Sequence, residues 1–224
     1  MTTTSFSTSV ISLHQDTQHT TTDGCFQTAQ PVFAMPKHGN KVDHLITGKA
    51  LFAEIAKAIL GAKRFILFTD WQMDYDVELH ERGNEQYVGR FSELLAKKVA
   101  EGVEVKVLLY DSFEAAVYTH ENEVRSNLAR LNPKSNELGK KGAPARNPAG
   151  NLPVEVAIQR PTTGRTVENM LFSHHQKSIV IDGTVAFIGG MDVTYGRWCD
   201  SNFDVVADPV KHRINDMYNP GVGQ

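Results

Sequence analysis

Apolar positions recur at helical spacing in LITGKALFAEIAKAILGAKRFILFTDW (45–71), where Leu51, Ile55 and Ile59 step by four behind Thr47. This spacing predicts a helix with Thr47 as its N-cap and Gly61 as its stop, followed by the short apolar strand RFILFTDW. The unit then recurs. EQYVGRFSELLAKKVAEG (85–102) places Val88, Phe91, Leu95 and Val99 on one face and ends at Gly102, and VEVKVLLY (103–110) follows as a strand. Helix then strand, twice, argues for a sheet covered by helices, an α/β layer structure. Residues 132–153 carry four prolines and three glycines without periodicity and read as a long loop, after which VEVAIQRP (154–161) reads as another strand. KSIVID and TVAFIG are β-branched and apolar, and they flank Asp182-Gly183, a dipeptide that favours a two-residue hairpin turn. At the other end, 12 of the first 22 residues are Ser or Thr. Such a segment buries too little apolar surface to offset its ordering entropy, so 1–38 is expected to be a flexible tail and 39–224 the folded lobe.

Composition narrows the function classes. With 41% hydrophobic and 22% charged residues in 224, the chain has the make-up of an ordinary globular protein. Its net charge of -3 gives no global attraction to polyanions, so nucleic acid is not a favoured partner and anion binding must come from a local arrangement. The two cysteines, Cys25 and Cys199, are too few for a disulfide framework and lack the spacing of a zinc site. No Lys or Arg precedes Lys37, and no apolar run approaches the roughly 20 residues needed to span a bilayer. The expected location is cytoplasmic as synthesised, with export by a route that ignores signal peptides left open.

The chemistry concentrates in SHHQKSIVIDGTVAFIGGMD (173–192). Lysine is rarely buried without a partner, so a lysine leading into an apolar strand marks either an open strand end or an anion site. On a strand, His175 and Lys177 share a face about 7 Å apart, close enough to grip one small anion. Asp182, of opposite parity and at the turn, is placed to hold backbone. Gly189 and Gly190 end the second strand where a side chain would obstruct a close neighbour or ligand. Weaker candidates lie elsewhere. Asp70, Asp74, Asp76 and Glu78 with Trp71 and His80 offer a metal reading, against solvated acids at a strand end. Asp200 or Asp204 could orient His175, and Lys134, Lys140, Lys141 and Arg146 in the long loop could meet phosphate headgroups.

The pattern His175-x-Lys177-x4-Asp182-x6-Gly189-Gly190 resembles the phospholipase D superfamily signature at every fixed position. The His, Lys and Asp spacing alone would arise by chance in on the order of one such chain in a hundred, and the glycine pair lowers this further. HHQK and GGMDVTYGRW are most similar to the first motif of eukaryotic-type members, and the stretch from Gly39 to Trp71 resembles the start of their first lobe. Bacterial type VI secretion lipases, which act as toxins, include similar proteins. The resemblance implies an α-β-α sandwich around a mixed sheet. It also implies cleavage of a glycerophospholipid such as phosphatidylcholine through a phosphohistidine, with no metal or other cofactor. On this chain it makes His175 the nucleophile, Lys177 the phosphate clamp, Asp182 a structural support, and Asp192 a polar neighbour of the phosphate.

There is also a departure from that pattern. Of nine histidines only His175 is followed two residues on by lysine, so the chain carries one of the two H-x-K motifs such a site uses. The ending NPGVGQ reads as mid-chain, ahead of the Trp-His-Asp segment of eukaryotic-type members. Three explanations stand: a first lobe whose second lobe lies elsewhere, a homodimer like the superfamily's small nucleases, or an inactive fragment that binds phosphate or lipid headgroups. The first is favoured, because the small nucleases lack the long first-lobe region.

Overall fold

The computed structural model describes residues 39–86, 88–112, 119–135, 141–147, 150–159, 173–213 and 216–217. The tail expected over 1–38 lies outside them. The chain divides into two compact units, up to Leu45 and from Ile46 onward. In the first, Lys41 and Asp43 form an exposed ion pair at 3.4 Å. All that follows concerns the second.

Its elements are α1 (Gly48–Gly61), β1 (Phe65–Asp70), α2 (Phe91–Ala100), β2 (Glu104–Tyr110), α3 (Glu121–Ala129), β3 (Val154–Gln159), β4 (Ser178–Ile181) and β5 (Val185–Ile188). The strands form one mixed sheet in the order β3-β2-β1-β4-β5. β1, β2 and β3 are parallel, β4 runs antiparallel to β1, and β5 antiparallel to β4. From central β1 the chain builds outward to β2 and β3 on one side, then returns to add β4 and β5 on the other. The carboxyl end of β1 is therefore a topological switch point, where open α/β sheets leave a crevice.

The local signals account for most boundaries. Thr47 caps α1 by accepting the Ala50 N–H at 3.3 Å. Gly61 is the last helical residue rather than a left-handed cap, and the chain turns out at Ala62. α2 starts at Phe91, so Val88 precedes it, and the Glu93 carboxylate accepts the Arg90 N–H at 2.8 Å. Gly102, at φ 90°, closes α2: its N–H bonds the Val99 carbonyl and the Val103 N–H bonds that of Lys98, a Schellman pattern. The long loop is irregular where described, apart from one bridge between Lys134 and Pro144. The Asn132 side chain ties it to β3, bonding both the N–H and the carbonyl of Val154.

The core lies against one face of the sheet. Ile66, Phe68, Val105, Val107, Leu109, Val154, Ile179 and Ile181 alternate inward and join Phe52, Ile55, Ile59, Phe91, Leu95, Val124 and Leu128 of the helices in a single cluster. Each such side chain contributes about 1.5–3 kcal/mol relative to exposure. On the opposite face Leu67 is 40% exposed and Lys106 pairs with Glu155 at 3.0 Å. The α/β class and the mixed sheet hold. Among the described residues no helix is long and apolar enough to cross a membrane.

One close approach fixes α1 against the segment that follows β5. A Cβ added to Gly48 would stand 2.0 Å from the Arg197 carbonyl oxygen, and the Lys49 N–H donates to the Cys199 carbonyl at 2.9 Å. Gly48→Ala should therefore destabilise the fold by about 1–3 kcal/mol or more in chemical denaturation, since backbone must move. A Cβ at Gly61 meets nothing within 4 Å, so Gly61→Ala should leave stability unchanged or raise it by up to about 1 kcal/mol.

Candidate functional site

The motif residues gather where β1 ends, β4 begins and β5 ends. The register pairs Thr69 with Ser178 and Ser178 with Ile188, so Asp70, Lys177 and Gly189 lie at one edge of the sheet. His175 and Lys177 precede β4 rather than standing on it, and their environments differ: His175 is exposed and Lys177 is 6% exposed. They meet around Trp71. The His175 ring lies 5.3 Å from the Trp71 ring, centroid to centroid, and the Lys177 Nζ lies 5.6 Å from the indole centroid. The Gly189 N–H donates to the Lys177 carbonyl at 3.2 Å, which fixes the backbone from which the ammonium projects.

Beneath this pair lies a buried carboxyl cluster. The Lys177 ammonium contacts Asp192 Oδ1 at 2.7 Å, and Arg197 Nη2 contacts Asp192 Oδ2 at 3.5 Å. Asp192 also accepts the Gln72 N–H at 3.3 Å. Asp70, at the end of β1, accepts the N–H groups of Trp71 (3.0 Å) and Val193 (2.9 Å), the second from the residue after Asp192. Asp70 and Asp192 are each 3% exposed. Burial first, and then the neighbouring Asp192, pushes the Asp70 carboxyl well above the usual range. Burial would also raise Asp192, but hydrogen bonds from Asp70 and Lys177 outweigh it and hold Asp192 low.

The other motif positions divide by role. Asp182 lies at the far end of β4, on the order of 15 Å along the chain from Lys177. Its carboxylate accepts the N–H groups of Lys63 (2.8 Å), Arg64 (2.8 Å) and Phe65 (3.0 Å), which anchors the entry into β1. These bonds, that of Phe65 foremost, hold its pKa below the ordinary value. Asp182 and Gly183 occupy the turn with φ 55° and 74°, closed by the Thr184 N–H to the Ile181 carbonyl. Ile181 nevertheless pairs with Val185, so three residues rather than two separate the paired positions. Gly189 and Gly190 obstruct nothing: a Cβ at either would meet no atom within 4 Å, and both border open space. His174 turns away, edge-on to Tyr110 at 6.1 Å, and burial lowers its basicity.

The acids after Trp71 are neither free for a metal nor left to solvent. Among the described residues no cluster of three or more His, Cys, Asp or Glu is placed to hold a metal. Asp74 accepts from the Thr194 hydroxyl and the Tyr195 N–H, and Asp76 from Arg213 at 3.1 Å and the Tyr195 hydroxyl. Glu78 is buried and pairs with Arg82 at 2.9 Å. These contacts lash the 70s loop to the segment after Gly190 and so hold Asp192 over Asp70. Asp200 accepts the Asn202 N–H at 2.8 Å within its own turn, and among the described residues neither it nor exposed Asp204 is bonded to His175. Of the loop cations, Lys140 lies outside the described residues, and Arg146 donates to the Gly150 carbonyl at 2.7 Å.

Sequence reasoning placed Asp70 among metal candidates and assigned Arg197 no role. A signal for Asp70 was present: it continues the buried parity of Ile66 and Phe68, and a carboxyl at the inward position of a central strand needs a partner.

Comparison with known proteins identifies the family of the chain. The phospholipase D family model matches residues 58–223. The chain is 30% identical over 171 residues to phospholipase D2 of Bos taurus, covering 76% of this chain and 16% of that protein. It is 27% identical to phospholipase D1 of Rattus norvegicus (77% and 13%) and 28% identical to phospholipase D zeta 1 of Arabidopsis thaliana (87% and 16%). The chain belongs to the phospholipase D family, and it spans less than a fifth of the length of these relatives.

The Asp182 anchor is testable apart from chemistry. Asp182→Ala should cost about 1–3 kcal/mol of folding stability at neutral pH, because charge-assisted bonds to three backbone donors are lost. Because folding depresses this pKa, the contribution is present above the unfolded pKa of ~3.9 and fades as pH falls through the folded value. Denaturation curves of the two proteins should therefore converge in acid, and a gap independent of pH would refute the carboxylate as its origin.

Proposed function

We propose that this chain supplies one H-x-K motif of a phospholipase D-type phosphodiesterase that removes headgroups from glycerophospholipids at a membrane surface. The observation that carries the reading is the convergence of exposed His175 and buried Lys177 on Trp71, above a carboxyl pair that orients the ammonium. A phosphodiester is shielded by its own negative charge, so its cleavage requires a nucleophile neutral near pH 7, a cation on the non-bridging oxygens and an acid for the leaving alcohol. His175 suits the first role by type and exposure, and Lys177 the second.

In this reading a His175 ring nitrogen attacks phosphorus as the bond to the headgroup oxygen breaks, giving a phosphatidyl-histidine. The departing alkoxide takes a proton from the histidine of a second H-x-K motif, and water then hydrolyses the P–N bond to restore the imidazole. That second motif comes from outside this sequence, on a partner lobe or on a second copy of the chain. The open space beside Gly189 and Gly190 next to the clamp is where such a partner or the substrate would stand. Asp182 serves the fold rather than the reaction, and no step calls on a metal.

The test is release of headgroup from phosphatidylcholine vesicles by the chain, at several protein concentrations, with DNA as a parallel substrate. His175→Ala should fall to background, and Lys177→Ala should lose on the order of 100-fold or more in kcat/KM. A rate per chain that rises with concentration would assign the second motif to another copy. Activity unchanged in either variant refutes the assignment, cleavage of DNA alone makes the chain a nuclease, and headgroup binding without turnover makes it a binding module.

A further inference from the structure

An attacking imidazole has to be held in one orientation, and the acids of this site do not hold His175. Among the described residues no hydrogen bond or ion pair reaches its ring, and it is exposed on an irregular segment ahead of β4. What the ring meets is Trp71, at 5.3 Å between centroids and a tilt of 53°. Trp71 is itself firmly placed. It follows the last residue of central β1, and its N–H donates to Asp70 Oδ1 at 3.0 Å. The next two residues are laced across the site, the Gln72 N–H to Asp192 at 3.3 Å and Met73 in a bridge with Val193. The Lys177 Nζ lies 5.6 Å from the same indole. One half-buried side chain therefore meets both members of the H-x-K motif.

We infer that Trp71 is the positioning residue of the motif: its indole sets the plane of the His175 ring and fixes its separation from the Lys177 ammonium. The inference rests on the reading of His175 as nucleophile and Lys177 as clamp. The chemistry of an indole suits this task. A carboxylate beside the ring would accept a ring N–H and favour the charged imidazolium, which has no lone pair with which to attack phosphorus. An indole has no acceptor atom, so it fixes the ring by packing and leaves the neutral form undisturbed. Its π face also attracts an ammonium, which keeps Lys177 beside His175 before an anion arrives. Phenylalanine would retain the π face with a shorter reach, and leucine would retain neither.

The probe is phosphoramidate, a small anionic phosphoryl donor that needs no second motif. An imidazole nitrogen attacks phosphorus, the P–N bond of the donor breaks, and ammonia leaves with the proton that the imidazole gives up. The full chain is treated with it, and phosphorylation of His175 and of exposed His44 is followed by peptide mass spectrometry. In the unaltered chain His175 should react on the order of tenfold faster than His44, because a held ring beside a cation meets the donor in the attacking orientation. Trp71→Leu should bring His175 down to about the His44 rate, and Trp71→Phe should keep at least about a third of the advantage, with His44 unchanged in both. An advantage that survives Trp71→Leu overturns the inference and leaves nucleophile and clamp standing. No advantage in the unaltered chain overturns both. A measurement on the unaltered chain separates positioning from folding. The His175 ring protons, identified by their loss in His175→Gln, should lie upfield of those of His44 under the indole ring current and show Overhauser contacts to the indole. Ring protons at the His44 positions, without such contacts, would contradict the proposal.

Discussion

Taking an ammonium out of water costs several kcal/mol unless it is paired, and the 2.7 Å contact between Lys177 and Asp192 meets that cost at the edge of the sheet. The rest of the site follows from this one contact. Asp192 has to be held in place, so the Gln72 N–H, Arg197 and Asp70 surround it. Asp70 has to be delivered to it, which the end of the central strand does. The segment carrying Asp192 has to lie over that strand end, and the bonds of Asp74 and Asp76 to Thr194, Tyr195 and Arg213 keep it there.

The same logic explains why acids abound around the proposed anion site. Most are spoken for by donors: Asp74 and Asp76 by hydroxyls, amides and a guanidinium, Glu78 by Arg82, and Asp182 by three amides at the opposite end of β4. Their negative charge is absorbed where it is made. What faces outward is His175 on the indole of Trp71, with the ammonium behind it. The close seat of Gly48 on Arg197 extends the arrangement to α1, since any displacement of that helix would disturb the backbone that carries the Arg197 side chain.

Much of this was legible in the sequence, and what was not has a physical reason. The strands and two of the three helices announce themselves by spacing, and the H-x-K signature marks the site because its fixed positions are rare in combination. α3 was not legible, because its nine residues hold only two large apolar positions, Val124 and Leu128, a single turn apart. The turn at Asp182-Gly183 was legible as a turn, yet its register depends on pairing energies along two four-residue strands that no dipeptide encodes. The pairing of Asp70 with Asp192 joins residues 122 positions apart, and only the assembled sheet brings them together. Spacing along the chain likewise could not distinguish acids lashing a loop from acids awaiting a metal.

The central claim is that His175 is the atom-bearing nucleophile of a phosphodiester-cleaving site. The most direct test is to mix the full chain with short-chain phosphatidylcholine, quench in alkali to preserve a P–N bond, and locate the adduct by peptide mass spectrometry. The account predicts a phosphatidyl group on the peptide containing His175, absent from His175→Ala. Headgroup release with no adduct on that peptide, or with an adduct on another residue, would contradict it.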